Sequence, residues 1–173
     1  HKYELHVRHD AHHPVIQDLL KYIKQQGKIQ IRLPIGTCYL RNLHPEKPIL
    51  FIAAGTGFAH VQAMIEQLLA TDEIRPFELY WCARSKSDLY MEEKALYWQK
   101  HVRHFRYFSL LSTDKKEKLV AMIIAHHKHD LADWQIVISG PFDMVYMVRD
   151  LLVAYNVKRT DLFSDAFCFE ELA

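Results

Sequence analysis

Ile49-Leu50-Phe51-Ile52-Ala53-Ala54-Gly55-Thr56-Gly57-Phe58 is the stretch that decides the fold of this 173-residue chain. A short, unbroken apolar run with β-branched residues fits a strand buried on both faces of a parallel sheet. The Gly-Thr-Gly ends that run, and Val61, Met64, Ile65 and Leu68 then recur at helical spacing. A strand, a glycine turn and a helix N-terminus in that order form a cradle for an anion such as a nucleotide pyrophosphate. The glycines let the backbone approach the phosphates, while the N–H groups and positive dipole end of the helix favour the charge. The full G-x-G-x-x-G pattern is absent, so a tight βα turn with no ligand is the alternative reading of the same residues.

Ile138-Ser139-Gly140-Pro141-Phe142-Asp143-Met144 repeats the build. Pro141 at a helix start also has a purely architectural reading, because its fixed φ and missing N–H suit the first helical position. From Pro48 onward the pattern alternates short apolar runs with segments of helical period, which predicts five βα repeats. The predicted strands are Ile49–Ala53, Phe77–Cys82, Phe105–Leu111, Trp134–Ser139 and Asp161–Ser164. Helices are expected through Val61–Leu68, Asp88–His101, Asp114–His127 and Met144–Tyr155. The expected fold is α/β: a five-stranded, doubly wound parallel sheet of order 3-2-1-4-5. In that order strands 1 and 4 flank the topological switch point, so both glycine turns open onto one crevice.

Residues 1–45 read differently. A strand (Tyr3–Val7), a helix from Pro14 to Gly27 and a strand (Ile29–Leu33) make a stretch too short to bury a core of its own. It is expected to be a piece of something larger, joined at Pro45-Glu46-Lys47-Pro48 to a second domain, 46–173. Its strands would carry unpaired edges, which makes self-association an expectation.

The composition narrows the function class. With 22 basic and 21 acidic side chains the net charge is +1, and there is no basic footprint for nucleic acid. No apolar run reaches the roughly 18 residues of a membrane span. Cys38, Cys82 and Cys168 are widely spaced, which suggests neither a disulfide framework nor a zinc site and fits a reducing cytoplasm. The twelve histidines include His12-His13 and His126-His127-Lys128-His129, but neither group has metal-ligand spacing, so no metal is expected. The second group places basic side chains at a helix C-terminus, where the dipole favours them.

Three blocks together resemble the NAD(P)H-dependent flavin reductases of the ferredoxin-NADP reductase superfamily. They are Ala54-Gly55-Thr56-Gly57-Phe58; Leu79-Tyr80-Trp81-Cys82-Ala83-Arg84 with Asp88-Leu89-Tyr90; and Ser139-Gly140-Pro141-Phe142-Asp143-Met144 with Asp165-Ala166-Phe167. The likeness covers Pro48 to Phe169. Tyr3 to Leu40, with the Leu33-Pro34-Ile35-Gly36 turn, resembles the last part of that family's flavin-binding barrel. The resemblance implies an enzyme in which NAD(P)H passes hydride to N5 of a flavin: FAD, FMN or riboflavin. It further implies that Gly55, Thr56, Gly57 and Phe58 form the pyrophosphate turn and that Arg84 lies by the adenosine ribose or its 2′-phosphate. Ser139, Gly140, Pro141 and Phe142 would border the nicotinamide, with Ser139 as an orienting hydroxyl. Asp165, Phe167 and Phe169 would lie near the flavin ring, Asp165 and Ser139 being the candidate catalytic pair. The flavin carries the redox chemistry and the protein supplies position.

The departures from the family pattern are specific. Ala54 stands where many relatives have Gly, His60 replaces a common Pro, and Ser139 replaces a common Cys. The family's Arg-x-Tyr-Ser flavin motif is not found before Pro48, and Arg106-Tyr107-Phe108-Ser109 is a look-alike in the wrong domain. The chain as given is therefore expected to lack most of a flavin site. Two other readings stand beside the flavin reductase. One is the C-terminal part of an iron-sulfur flavoprotein reductase acting on a sugar nucleotide. The other is a flavodoxin-like module used only for protein contacts.

Overall fold

Alternate side chains of β1 (Ile49–Ala54) point to opposite faces of the sheet and build two cores. Ile49, Phe51 and Ala53 pack with helices α2 (Phe58–Ala70) and α3 (Glu92–His101). Leu50 and Ile52 pack with α4 (Lys116–His126) and α5 (Phe142–Ala154) on the other face. None of these five β1 side chains retains exposed surface, and each large one contributes roughly 1.5–3 kcal/mol of burial. This is why the strand reads as a continuous apolar run.

The structure is a computed structural model that describes residues 3–8, 13–33, 35–71, 74–111 and 116–172. β1 pairs in parallel with β2 (Phe77–Ala83) and β4 (Gln135–Ser139); β3 (Phe105–Leu111) adds to β2, and β5 (Leu162–Phe163) to β4. The order β3-β2-β1-β4-β5 is the doubly wound arrangement expected from the sequence. β5 is shorter than expected because Asp161 ends a 3-10 turn, Arg159–Asp161, and pairs with Lys47 at 2.7 Å. α3 begins at Glu92 rather than Asp88, since Lys86–Asp88 forms its own short turn. Among the described residues no helix is long and apolar enough to cross a membrane.

The chain divides into two compact units, residues 1–35 and 36–173. The first holds α1 (Pro14–Gln26), with Pro at its start and Gly27 closing it at φ +64° through an N–H bond to the Ile23 carbonyl. The strands expected at Tyr3–Val7 and Ile29–Leu33 are not formed. A strand requires a ladder partner, and neither segment belongs to a ladder among the described residues. α1 buries none of its side chains, in keeping with a stretch too short for a core of its own.

The second unit begins at Gly36, ahead of the Pro45–Pro48 junction read from the sequence. Cys38 and Leu43 enter the α2 face of the core. The fully buried Gln135 amide accepts the N–H of His44 at 2.8 Å and donates to the carbonyls of His44 and Lys47 at 2.7 and 2.9 Å.

Candidate functional site

Gly55–Gly57 form one 3-10 turn between β1 and α2, with Gly55 at φ +54°, where only a residue without Cβ sits unstrained. Its orientation is fixed from below. The Trp81 indole N–H donates to the Gly55 carbonyl at 3.2 Å, and the Phe58 N–H donates to the same oxygen. The Phe58 ring lies stacked on Trp81 at 3.9 Å with 9° between planes, and it is fully buried. Phe58 was expected to contact the cofactor, but its ring lies in the core and its N–H is spent on the turn. Its part is to support Gly55 and Thr56 from beneath.

The second glycine turn lies directly against the first. A Cβ placed on Gly57 would come within 2.3 Å of the Ser139 carbonyl oxygen and 2.8 Å of the Gly140 nitrogen. One placed on Gly140 would meet Ala54 at 2.9 Å and the Met144 methyl at 2.6 Å. Two backbones therefore meet at the ends of β1 and β4, with glycine required because nothing larger fits between them. Ala54, in place of the common Gly, is accommodated because Gly140 faces it.

The remaining candidates fall along the same carboxyl edge of the sheet. Arg84 follows β2 and is exposed, with its Nε 3.5 Å from Asp88. Beyond β4, exposed Phe142 packs on Phe169 with ring centroids 5.4 Å apart and on Tyr146 at 6.2 Å. Phe167 lies under the Arg159 guanidinium at 3.9 Å. From Arg84 past β2 to Phe167 past β5 is three strand steps, or roughly 14 Å. Along the edge, Arg84 with Asp88 stands at one end, small residues in the middle, and aromatic rings with Arg149 and Arg159 over them at the other.

Asp165 has a definite structural task. Its Oδ1 accepts the Cys38 N–H at 2.9 Å, and Gly36 lies so close that a Cβ there would fall 2.1 Å from the same oxygen. Burial, and then the Asp165 charge, push the Cys38 thiol up to about 12, so that sulfur stays protonated and inert. Among the described residues no group of His, Cys, Asp or Glu side chains is arranged to hold a metal ion; His12 lies outside those residues.

One polar network escaped the sequence reading. Buried Glu78 at the start of β2 accepts His127 Nε2 at 2.9 Å and the Tyr80 hydroxyl at 3.0 Å, while His127 Nδ1 lies 3.3 Å from Asp130. His126 Nδ1 meets the same Tyr80 hydroxyl at 2.9 Å. Burial alone would lower His127, but the hydrogen bond and charge of Glu78, with Asp130, outweigh it and raise its pKa. The signal was a lone carboxylate inside an apolar strand, which needs a buried partner. The network lies at the amino end of the sheet, opposite the glycine turns.

The chain is 25% identical to an NAD(P)H-flavin reductase of Vibrio harveyi, over 96% of this chain and 74% of that protein. It is 27% identical to a CDP-6-deoxy-L-threo-D-glycero-4-hexulose-3-dehydrase reductase of Yersinia pestis, over 95% of this chain and only half of that protein. Among solved structures, a flavohemoglobin of Malassezia yamatoensis with bound FAD and heme superposes with a TM-score of 0.70 at 19% identity. That match covers 91% of this chain and 42% of the flavohemoglobin, and it speaks to fold alone. The model of the oxidoreductase NAD-binding domain matches residues 51–150, which run from within β1 into α5 and include both glycine turns. With sheet order, turn geometry and family model in agreement, the chain belongs to the oxidoreductase NAD-binding domain family.

Proposed function

We propose that this chain is the nicotinamide-nucleotide half of an NAD(P)H-flavin oxidoreductase, and that residues 1–45 are the end of its flavin-binding barrel. The observation that carries the reading is the close approach of Gly57 to Ser139 and Gly140, which brings two glycine turns and the α2 N-terminus together at the carboxyl ends of β1 and β4. The likeness to NAD(P)H-flavin reductases along 96% of the chain supports the reaction class. Gly55, Thr56 and Gly57 hold the pyrophosphate, and Arg84 faces the adenosine end. Ser139, Gly140, Pro141 and Phe142 border the nicotinamide, with Asp165, Phe167 and Phe169 on the flavin side.

FAD, FMN or riboflavin, when bound, supplies the electron-accepting N5. The chain's residues orient and exclude: the stacked Phe58 and Trp81 hold the pyrophosphate turn still, and the Phe142–Phe169 pair offers an apolar wall that keeps water from the reduced ring. Ser139 sits at the exit of β4, between the two glycine turns, and its part is that of an orienting hydroxyl. We assign the protein to the cytoplasm on the wide spacing of Cys38, Cys82 and Cys168, which suggests neither a disulfide framework nor a zinc site.

Calorimetric titration of the chain with NADH and NADPH in parallel tests the reading. Binding of either supports it, and a preference for NADPH marks Arg84 and Lys86 as readers of the 2′-phosphate. A folded sample that binds neither refutes it. The likeness to the Yersinia pestis reductase favours a second reading, a multi-domain iron-sulfur reductase acting on a sugar nucleotide. An absorption spectrum of the full-length protein separates the two, because an iron-sulfur centre absorbs through the visible.

A further inference from the structure

β2 ends beside the first glycine turn: Cys82 stands in register with Ala54, the residue before Gly55, and the Trp81 indole donates to the Gly55 carbonyl. In a doubly wound sheet the segment leaving the second strand meets the adenosine ribose, and a cation there accommodates a 2′-phosphate. Residues 84–93 of that segment carry two basic side chains, Arg84 and Lys86, and three acidic ones, Asp88, Glu92 and Glu93. Their net charge is −1.

The two cations are held differently. The Arg84 side chain is 60% exposed and its Nε lies 3.5 Å from Asp88 Oδ2, a surface ion pair that solvent screens and a ligand can exchange. Lys86 Nζ donates to Glu92 Oε2, and the Glu92 side chain keeps only 11% of its surface exposed. The hydroxyl of buried Tyr107, on β3, donates to the other oxygen of that carboxylate at 3.3 Å. Burial, and then the Glu92 charge, raise the Tyr107 pKa, so this hydroxyl stays a donor. Glu92 also opens α3, where the helix dipole favours a carboxylate. Taking Lys86 away leaves a largely buried charge short of its cation, which costs more than opening the exposed Arg84 pair.

The loop itself is tied down. Lys86–Asp88 is a 3-10 turn in which the Asp88 N–H donates to the Ser85 carbonyl at 3.1 Å and the Leu89 N–H to the Lys86 carbonyl at 3.2 Å. Leu89 is buried in the α2 face of the core, so the turn cannot shift toward a ligand without drawing that side chain out. The next cation along the chain, Lys94, is paired with Glu66 of α2.

We propose that segment 84–93 selects NADH over NADPH, and that Glu92, held by Tyr107, is the positioning residue that withholds Lys86 from the 2′ position. The inference rests on the reading of the Gly55–Gly57 turn as a dinucleotide site. A 2′-phosphate, with roughly two negative charges at neutral pH, meets a segment whose cations are already matched by carboxylates. To bind it, Arg84 must leave Asp88, and the freed carboxylate then stands against the phosphate.

The test is calorimetric titration of the chain with NADH and NADPH at about pH 7.5, above the second phosphate ionisation near pH 6. NADH is expected to bind at least about tenfold more tightly. Glu92→Gln still accepts the Tyr107 hydroxyl but no longer holds Lys86 by charge, and the ratio of NADPH to NADH affinity rises by about tenfold. Adding Lys86→Ala to Glu92→Gln returns the ratio to its starting value, which a general loosening of the loop would not do. If Glu92→Gln does not fold, Tyr107→Phe loosens the same carboxylate and moves the ratio the same way by a smaller factor. Tighter binding of NADPH than of NADH by the unmodified chain overturns the proposal and leaves the dinucleotide reading intact. So does a ratio that stays put in Glu92→Gln, or one that stays raised in the double variant. A folded sample that binds neither nucleotide overturns both.

Discussion

Replacing Gly57 by alanine tests whether the two glycine turns act as one unit. The added Cβ would stand 2.3 Å from the Ser139 carbonyl oxygen, 2.5 Å from its carbon and 2.8 Å from the Gly140 nitrogen, where ordinary contact begins at 3.4 Å. All three neighbours are backbone, so no side chain can swing away. The turns must part by about 1 Å, an overpacking strain of roughly 1–3 kcal/mol. For a chain of this size that lowers Tm by about 2–12 °C. A phosphate oxygen held by N–H groups of the first turn and bordered by the second would lose at least one charge-assisted hydrogen bond when they separate. At roughly 1.5–3 kcal/mol that is about a ten- to hundredfold weaker Kd. Thermal melting and calorimetric titration with NADH and NADPH measure the two effects. A Tm within about 1 °C of the parent would mean that the turns have slack and that the contact is not a constraint. A lowered Tm with unchanged affinity would remove the turn from the nucleotide site. Gly57→Asp adds a carboxylate against the pyrophosphate and is expected to abolish binding.

Two further tests concern parts of the chain away from the cradle. Because His127 is raised in the fold, its contribution to stability is fully present below the unfolded-state value near 6.5 and is lost as pH rises through the raised folded-state value. His127→Gln, which strips the buried Glu78 of its charged partner, is expected to cost about 3–5 kcal/mol in that acidic window, a Tm loss of roughly 6–20 °C. The difference in Tm from the parent shrinks toward alkaline pH, and a difference that grows with pH would refute the assignment. Thiol labelling at pH 8, followed by mass spectrometry, is expected to modify exposed Cys168 first. Cys38 should remain silent until unfolding, since a thiol held at about 12 is ionised in only about one molecule in ten thousand. Labelling of Cys38 at a rate equal to Cys168 would show that the 36–39 segment opens freely.

The parallel sheet could be read from the sequence because burial on both faces writes itself locally. Ile49–Ala53 and Ile136–Ile138 are apolar at every position, and glycine is so scarce that its clusters at the two strand ends stand out. What could not be read is whatever depends on a partner far along the chain. The 36–45 stretch looked like part of the preceding segment, yet it is pinned to the second unit by Gln135, 91 residues away from His44. Glu78 and His127 are 49 residues apart, and only the fold reveals that a histidine taken for a helix-end cation is a buried partner. Tyr3–Val7 and Ile29–Leu33 carry the alternating apolar pattern of strands, but the pattern states only what face would be buried and cannot supply the neighbour that completes a ladder. Phe58 was misjudged for a related reason: adjacency to the glycine turn suggested a ligand contact, whereas the helix turns its ring inward onto Trp81.

The placement of these features separates two demands on the sheet. At the carboxyl edge the residues between the turns are small, namely Gly55, Thr56, Gly57, Ser139 and Gly140, so a ligand can reach the backbone there and little side-chain burial depends on it. At the amino edge, Glu78, Tyr80 and His127 tie β2 to the end of α4 through charged hydrogen bonds that no ligand needs to touch. β2 spans both edges. Glu78 lies near its start and Arg84 just past its end, roughly 20 Å apart along an extended strand. A contact network at one end can therefore hold the strand in register while the other end remains free to be shaped by backbone and solvent. The same division explains why glycine sits only where close approach or a turn requires it: each one in a strand or helix would weaken the frame that holds the open edge in place.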